Sequence, residues 1–485
     1  MICLTLTEKN IEKSLIQYQK NKDLIDMVEL RVDMLEGPIP IDSVIRFPEL
    51  CDKPVILTCR KVKDGGNFSQ GERTRYNLLR KLIEGKFSYI DLEEDMGRNE
   101  LETCVKQKGI DIIRSFHDFN CVPGDLFKRM HKISQQGEIP KAAVTPKSFT
   151  DVVRIFEGEK ELRDIDKKIL LGMGEYGVPT RILYKLTGSF LSFCSAPGSF
   201  QGAPGHLSPE LMKNLYKADT ISNETAIYGI IGNPVMHTAS PAIHNPGFHK
   251  LGINAVYVPF MVDSVRSFFS FSEKMGIKGF SVTVPHKQSV LPYLGIISNE
   301  VKQIGSCNTV VQTKKLWKGI NTDYYGFLHP IQEDLETGNI KKALVIGAGG
   351  AARSVVWALR NYGCSVLIVN RTLDSAVKLA VKTGSSAIEK SELAVISMED
   401  SQNRPDLVVQ TTSVGMEPNA GKDPAEEYTF SGDEIVYDLV YKPRMTRLIN
   451  RASQAGCRIV YGYEMLYAQG LLQFKTFTGK EYPQG

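Results

Sequence analysis

At 485 residues the chain is too long for one ordinary core, so two or three domains are expected. Charged residues make up 24% and hydrophobic ones 42%, and the net charge is only +4; with no Lys/Arg block and no run of ~18 apolar residues, a nucleic-acid arm and a membrane span are both excluded. The nine cysteines, at 3, 51, 59, 104, 121, 194, 307, 364 and 457, never form C-x-x-C, which argues against a disulfide framework or a zinc site and fits a reducing cytoplasm. The opening MICLTLTEKN lacks the regions of a signal peptide and reads directly as a strand.

From there one rhythm repeats for about 200 residues: a short apolar strand, a polar turn, a helical segment. The strands read as ICLTL, MVELRVDML, PVILTCR, SYIDLEE, DIIRSFHDF, KAAVT, KILLGMG and SFLSFCSA, with amphipathic stretches such as RTRYNLLRKLIEG between them. Eight such units imply parallel strands closed into a compact (β/α)8 barrel over residues 1–212. A polar, helical linker is expected at 213–225. From Ala226 the pattern restarts with AIYGIIGNP and continues through NAVYVPF and KGFSVTVPHK. A second restart, KKALVIGAGGAARSVVWALRNYGCSVLIVNRT, divides the second half into two α/β lobes. One lobe takes 226–338 and 456–485, the other 339–455.

In a barrel the C-terminal ends of the strands line the site. Those ends carry Glu29, Arg31 and Asp33, then Arg60, Asp91 with Glu93, and His117 with Asp118. On the sixth strand Lys141, Ala143 and Thr145 share one face by period-two alternation. With that face inward, Ala143 leaves room for the lysine stem. Desolvation and neighbouring Arg charges are then expected to lower the lysine's pKa, giving a free amine that attacks a ketone. His117, one strand away, can move protons. A Schiff base with a histidine acidifies the carbon beside a carbonyl and expels a β-hydroxyl.

The set ELRVDML, DGG (64–66), YIDLEED, SFHDF, IPKAAVTP and APGHLSPEL resembles type I 3-dehydroquinate dehydratase over about residues 1–212. The resemblance implies an imine on Lys141, His117 as general acid and base, substrate contacts from Glu29 and Arg31, and a carboxylate grip from Arg181. Arg60 would contact ring hydroxyls or support the site. Asp64 stands where the family has a Glu beside the histidine; one methylene shorter, it implies a longer or water-bridged hydrogen bond. The family's closing S-A-P-G-Q becomes SAPGSFQ followed by GAPGHLS, which leaves Ser195, Gln201 and His206 as alternative substrate contacts.

In the second half, KALVIGAGGAAR is a strand running into G-x-G-x-x-A and then a helix. Gly347 permits the tight turn, Gly349 the approach of a pyrophosphate, and Ala352 close helix–strand packing; Ala348, Gly350 and Ala351 complete the loop of a Rossmann lobe. The next strand ends in Asn370, Arg371 and Thr372 rather than in an acid. An Arg there attracts a 2′-phosphate, so NADP(H) is the expected cofactor. Lys287 and Asp323 form a candidate proton relay. Thr238 and Ser240 precede Pro241 at a helix start, where Ser is expected as an N-cap that also collects carboxylates.

These stretches, with TTSVGM, YDLVYKP and YGYEMLYAQGLLQF, resemble shikimate dehydrogenase over about 226–482. The resemblance implies catalysis by Lys287 and Asp323, and substrate contacts from Thr238, Ser240, Thr283, Asn308 and Gln469, with Tyr441 closing the pocket. Thr412 and Gly462 join the cofactor site. The family has Ser at position 238 and Asn at 281, where this chain has Thr and Ser; the shorter Ser281 raises the alternative of quinate oxidation. The two resemblances name consecutive reactions, 3-dehydroquinate to 3-dehydroshikimate to shikimate. Small molecules are the expected partners, and neither a metal, a nucleic acid nor a membrane is called for. A non-catalytic sensor on these folds would have no need for Lys141, His117, Lys287 and Asp323 together.

Overall fold

The computed structural model describes residues 1–96, 100–135, 138–199, 204–400 and 403–484. Eight short strands alternate with helices through the first 195 residues. They are β1 (Ile2–Leu6), β2 (Met27–Arg31), β3 (Val55–Thr58), β4 (Tyr89–Glu93), β5 (Asp111–Asp118), β6 (Ile139–Val144), β7 (Ile169–Gly172) and β8 (Ser192–Ser195). Nearly every strand residue is buried, as expected of parallel strands covered on both faces. The order is β7-β6-β5-β4-β3-β2-β1-β8, with every paired neighbour parallel. Phe190 N–H donates to Lys168 O at 3.0 Å and the Ser189 hydroxyl bridges Leu170 N and O, linking the two edges of an almost closed barrel.

Register decides which side chains meet inside. Arg31 lies beside Thr58 and Thr58 beside Asp91; Glu93 lies beside Ser115 and Ser115 beside Lys141. Alternation aims these polar residues inward at the C-terminal end of the barrel.

The segment read as a linker is built into this core. Met212, Tyr216, Ala218 and Ile221 are buried, and Met212 and Ala218 pack with the barrel's apolar residues. Polarity misled here because Lys213 and Asp219, which pair at 2.6 Å, occupy the other side of the same segment. The chain divides into two compact units, Met1–Gly276 and Ile277–Gly485. The first therefore holds, besides the barrel, the parallel pair β9 (Ala226–Gly232) and β10 (Ala255–Met261) with helices Ser240–Lys250 and Val265–Met275. An aromatic cluster joins these to the barrel. Phe149, on the helix after β6, lies 5.3 Å from Phe268 and 5.3 Å from Phe271, centroid to centroid, and its N–H donates to Asp263 at 3.0 Å.

The second unit contains β11 (Gly279–Val282), β12 (Ile296–Ile297), β13 (Thr309–Thr313) and β14 (Leu316–Ile320). Pairs β11/β13 and β13/β14 are antiparallel and β12/β14 is parallel. Six further strands follow: β15 (Lys342–Ile346), β16 (Ser365–Val369), β17 (Ser386–Ile388), β18 (Leu407–Gln410), β19 (Ile435–Asp438) and β20 (Arg458–Tyr461). They form a parallel sheet in the order β17-β16-β15-β18-β19-β20. Strand order reverses between β15 and β18, which opens a crevice at their C-terminal ends, the position where open α/β sheets bind nucleotides.

Candidate active sites

Inside the barrel, Lys141 is 5% exposed. Its Nζ lies 2.8 Å from Asp91 Oδ2, 3.9 Å from Glu29 Oε1 and 4.2 Å from the centre of the Phe193 ring. The arginine neighbours expected from sequence thus stand one step back: at the amine itself are carboxylates. Asp91 also receives Arg60 at 2.7 Å and the Ser115 hydroxyl at 2.5 Å. Burial pushes the Asp91 carboxyl up, but Arg60 and Lys141 outweigh it and hold it well below the usual range.

Arg60 reaches Glu93 at 3.1 Å as well, so its guanidinium is spent on Asp91, Glu93 and Ser115 and serves as support. Glu29 accepts from the hydroxyls of Thr5 (3.0 Å) and Thr58 (2.9 Å). Arg31 makes a two-pronged pair with Asp33, at 2.9 and 2.8 Å. Against burial, that pair and the N–H groups of Arg60 and Asn67 lower the Asp33 carboxyl.

His117 lines the same cavity as Lys141, Asp64 and Arg181. Burial, then the charges of Arg60 and Lys141, drive its imidazole well below the ordinary histidine value. It is therefore neutral near pH 7. No hydrogen bond joins it to Asp64: His117 Nδ1 and Asp64 Oδ2 are both buried and without a hydrogen-bond partner, and burial with the neighbouring Glu93 raises the Asp64 carboxyl.

Arg181 is 2% exposed, and among the described residues no carboxylate pairs with it. Its Nη2 donates to Pro204 O at 3.3 Å while Nε has no partner. Burial alone lowers it to about 10. A buried cation without a counterion is costly, and a bound anion would remove the cost. His206 also lines the cavity, whereas Ser195 is not part of its lining and instead bonds His206; Gln201 lies outside the described residues.

In the second unit Lys287 Nζ and Asp323 Oδ2 are 2.5 Å apart, and Asn308 Nδ2 donates to the other Asp323 oxygen at 2.8 Å. Asn308 also reaches Thr322 at 2.9 Å and Gln469 at 3.3 Å, so Lys287, Asp323, Asn308 and Gln469 form one network. Thr283 is half-buried three residues before His286, and Tyr441 is half-buried after β19. Thr238 and Ser240 stand in the first unit. There the N-cap is Ala239, not Ser240, which is the first residue of the helix. Thr238 Oγ1 accepts from Ser240 N–H at 3.2 Å and donates to Ser240 Oγ at 3.1 Å.

The glycine loop leaves β15 at the crevice. Gly347 has φ +118°, and a side chain there would strike Thr411 at 2.3 Å. At Gly349 a Cβ would meet nothing within 4 Å, so the cradle stands open ahead of helix Gly350–Asn361. A Cβ at Gly350 would touch Lys287 Cδ at 3.1 Å, which sets this lysine against the loop. Thr412, after β18, caps Val414 N–H at 3.2 Å. Gly462 lies too close to Leu439 O for any side chain, 2.4 Å. At the end of β16 Asn370 bonds Thr372 O at 2.9 Å and Arg371 is exposed. An open cradle with an arginine and no acid beside it fits a 2′-phosphorylated dinucleotide.

Sequence reasoning missed Phe193, whose period-two relation to Ser195 could have placed it inside, and Phe119, stacked 6.3 Å from His117. It also missed Thr322, adjacent to Asp323, and Gln473, one turn after Gln469, which accepts from Ser281 at 2.8 Å. Among the described residues no helix is long and apolar enough to cross a membrane, and no group of three or more His, Cys, Asp or Glu could hold a metal ion.

Barrel and dinucleotide crevice together define a two-site enzyme, a lyase joined to a dehydrogenase. The type I 3-dehydroquinase family model matches residues 2–223, the shikimate dehydrogenase substrate binding domain 230–310, and the shikimate / quinate 5-dehydrogenase model 331–426. A bifunctional chloroplastic 3-dehydroquinate dehydratase/shikimate dehydrogenase of Arabidopsis thaliana is 32% identical over 100% of this chain and 83% of its own. A shikimate dehydrogenase (NADP(+)) of Caldanaerobacter subterraneus is 39% identical over 54% of this chain and 94% of its own. A solved shikimate dehydrogenase in complex with NADP+ matches 54% of this chain and 93% of its own, with 31% identity and a TM-score of 0.50. The chain belongs to the bifunctional 3-dehydroquinate dehydratase/shikimate dehydrogenase family and joins both activities in one polypeptide.

Proposed function

We propose that the two activities run by an imine on Lys141 and a proton relay through Lys287 and Asp323. The observation that carries this reading is a lysine on the inner face of the barrel, in one cavity with a neutral histidine and a buried arginine lacking a counterion. Arg181 takes the carboxylate of 3-dehydroquinate. Lys141 adds to the ketone and water leaves, forming the imine. His117 removes the proton from the adjacent carbon, then returns a proton to the β-hydroxyl, which departs as water. Addition of water to the imine releases 3-dehydroshikimate and restores the amine. Glu29 and Arg31 contact the ring, and Arg60 supports Asp91. A bridging water between Asp64 and His117 accounts for their two unpartnered buried atoms.

At the second site NADPH, when bound, supplies hydride to the carbonyl carbon. Lys287 donates a proton to the oxygen as charge builds there, and Asp323, steadied by Asn308, holds the ammonium in place. Within the second unit, Thr283, Asn308, Tyr441 and Gln469 bind substrate. Gly347 to Ala351, Thr412 and Gly462 receive the dinucleotide, with Asn370, Arg371 and Thr372 on its 2′-phosphate. Functionally the barrel is assigned to 1–212 and the dehydrogenase to 226–485, acting on small molecules in the cytoplasm. A coupled assay with dehydroquinate and NADPH tests the scheme. Lys141→Ala stops NADPH oxidation unless dehydroshikimate is added, whereas Lys287→Ala accumulates the enone without oxidising NADPH. Either variant running both steps at the wild-type rate would refute it.

A further inference from the structure

Two of the side chains offered as alternative substrate contacts, Ser195 and His206, meet each other at the mouth of the barrel. Ser195 ends β8, and its hydroxyl lies 2.5 Å from His206 Nδ1. His206 lines the cavity with Arg31, Lys141 and Arg181; Ser195 does not. The segment bearing His206 is tied down on both sides. Ser195 N–H donates to Leu207 O at 3.1 Å, Gly174 N–H donates to Pro204 O at 3.0 Å, and Arg181 Nη2 reaches that same oxygen at 3.3 Å. Gly205 has φ +82°, and a Cβ there would lie 2.6 Å from Gly174 O, so the backbone is seated directly against the helix that carries Arg181.

We infer that Ser195 is a positioning residue whose hydroxyl donates to His206 Nδ1, so that the imidazole presents Nε2–H to the anionic end of the bound substrate beside Arg181. Among the described residues Nδ1 is the one acceptor for the Ser195 hydroxyl, and satisfying it requires the tautomer with its proton on Nε2. Four cations, Arg31, Arg60, Lys141 and Arg181, already face the cavity. Burial, then the charges of Arg181, Lys141 and Arg31, keep His206 well below the ordinary histidine value, so it enters as a neutral donor. Ser195 thus acts through His206 and not on the substrate itself.

This rests on the dehydratase reading of the barrel. Steady-state kinetics with dehydroquinate on the full chain tests it. His206→Ala is expected to raise KM by roughly ten- to a hundredfold, the worth of a hydrogen bond to a charged group, and by more than it lowers kcat. His206→Gln, which keeps an N–H donor, restores most of the loss. Ser195→Ala raises KM less, and in a His206→Ala background has no further effect. Nitrogen-15 NMR of labelled histidine should show the Nε2–H form in the wild type and a mixture in Ser195→Ala. An unchanged KM in His206→Ala, or a Ser195→Ala effect that persists without the imidazole, would overturn the inference. If the wild-type chain itself forms no imine, it is the reading of the barrel that fails.

Discussion

Asp91→Asn is a sharp test of the barrel interior, because it removes one charge and almost no volume. Asp91 is 1% exposed and carries contacts of 2.8 Å to Lys141 and 2.7 Å to Arg60. With an effective dielectric constant of about 20, a pair at 2.8 Å is attracted by roughly 6 kcal/mol. Part of that is offset because the neutral amide is easier to desolvate, which leaves the roughly 3–5 kcal/mol typical of a broken buried pair. For a unit of this size, such a loss lowers the melting temperature by roughly 5–15 °C. Both tryptophans, Trp317 and Trp357, lie in the second unit, so their fluorescence is blind to the barrel. Far-ultraviolet circular dichroism and the heat inactivation of the dehydratase are the proper readouts. A loss below about 1 kcal/mol would refute the claim that Asp91 neutralises two buried cations.

At the other site, Asp323→Asn keeps the Asn308 contact but not the ion pair with Lys287; kcat for dehydroshikimate reduction should fall roughly a hundredfold or more, with dehydratase turnover unchanged. Arg371→Ala should raise KM for NADPH but leave that for NADH almost unmoved. Phe271→Ala, in the segment after the barrel, should hasten heat inactivation of the dehydratase, since its ring packs on Phe149 and Phe156 and Phe→Ala in a core costs about 3–5 kcal/mol; inactivation of the dehydrogenase alone would contradict this. Glu434 resists burial through bonds from Ser431, Gly432 and Arg404 and sits at about 2 instead of 4.5. It therefore contributes roughly 3 kcal/mol above pH 4.5 that is lost as pH falls toward 2, and Glu434→Gln should flatten the acid limb of a urea-unfolding pH series.

Much of the barrel was legible because parallel strands buried on both faces read as apolar runs, and their charged residues concentrate at one end. Lys141 and Ala143 line the cavity, but Ala142 between them does so too and Thr145 does not, so alternation alone did not define this wall. The glycine loop was legible for a similar reason: a turn with φ +118° and an open cradle tolerates few sequences. Three-dimensional pairing was not. Alternation aims Lys141 inward, but only the register of β4, β5 and β6 sets Asp91 against it. The resemblance set Asp64 beside His117 with a longer or water-bridged hydrogen bond, and no direct bond joins the two. Burial of the segment after the barrel was hidden because its apolar residues, Met212, Tyr216, Ala218 and Ile221, are interleaved with lysines and an aspartate. Ser240 missed the N-cap position by one residue, a shift that the Ser-Pro pattern cannot resolve.

The most direct test follows the nitrogen of Lys141. The full chain is incubated with 3-dehydroquinate and borohydride, digested, and the peptide containing residue 141 is weighed. The expected result is a covalent adduct on Lys141 with parallel loss of dehydratase turnover, while dehydroshikimate reduction survives. An unmodified peptide from enzyme that is turning over at full rate would contradict the account.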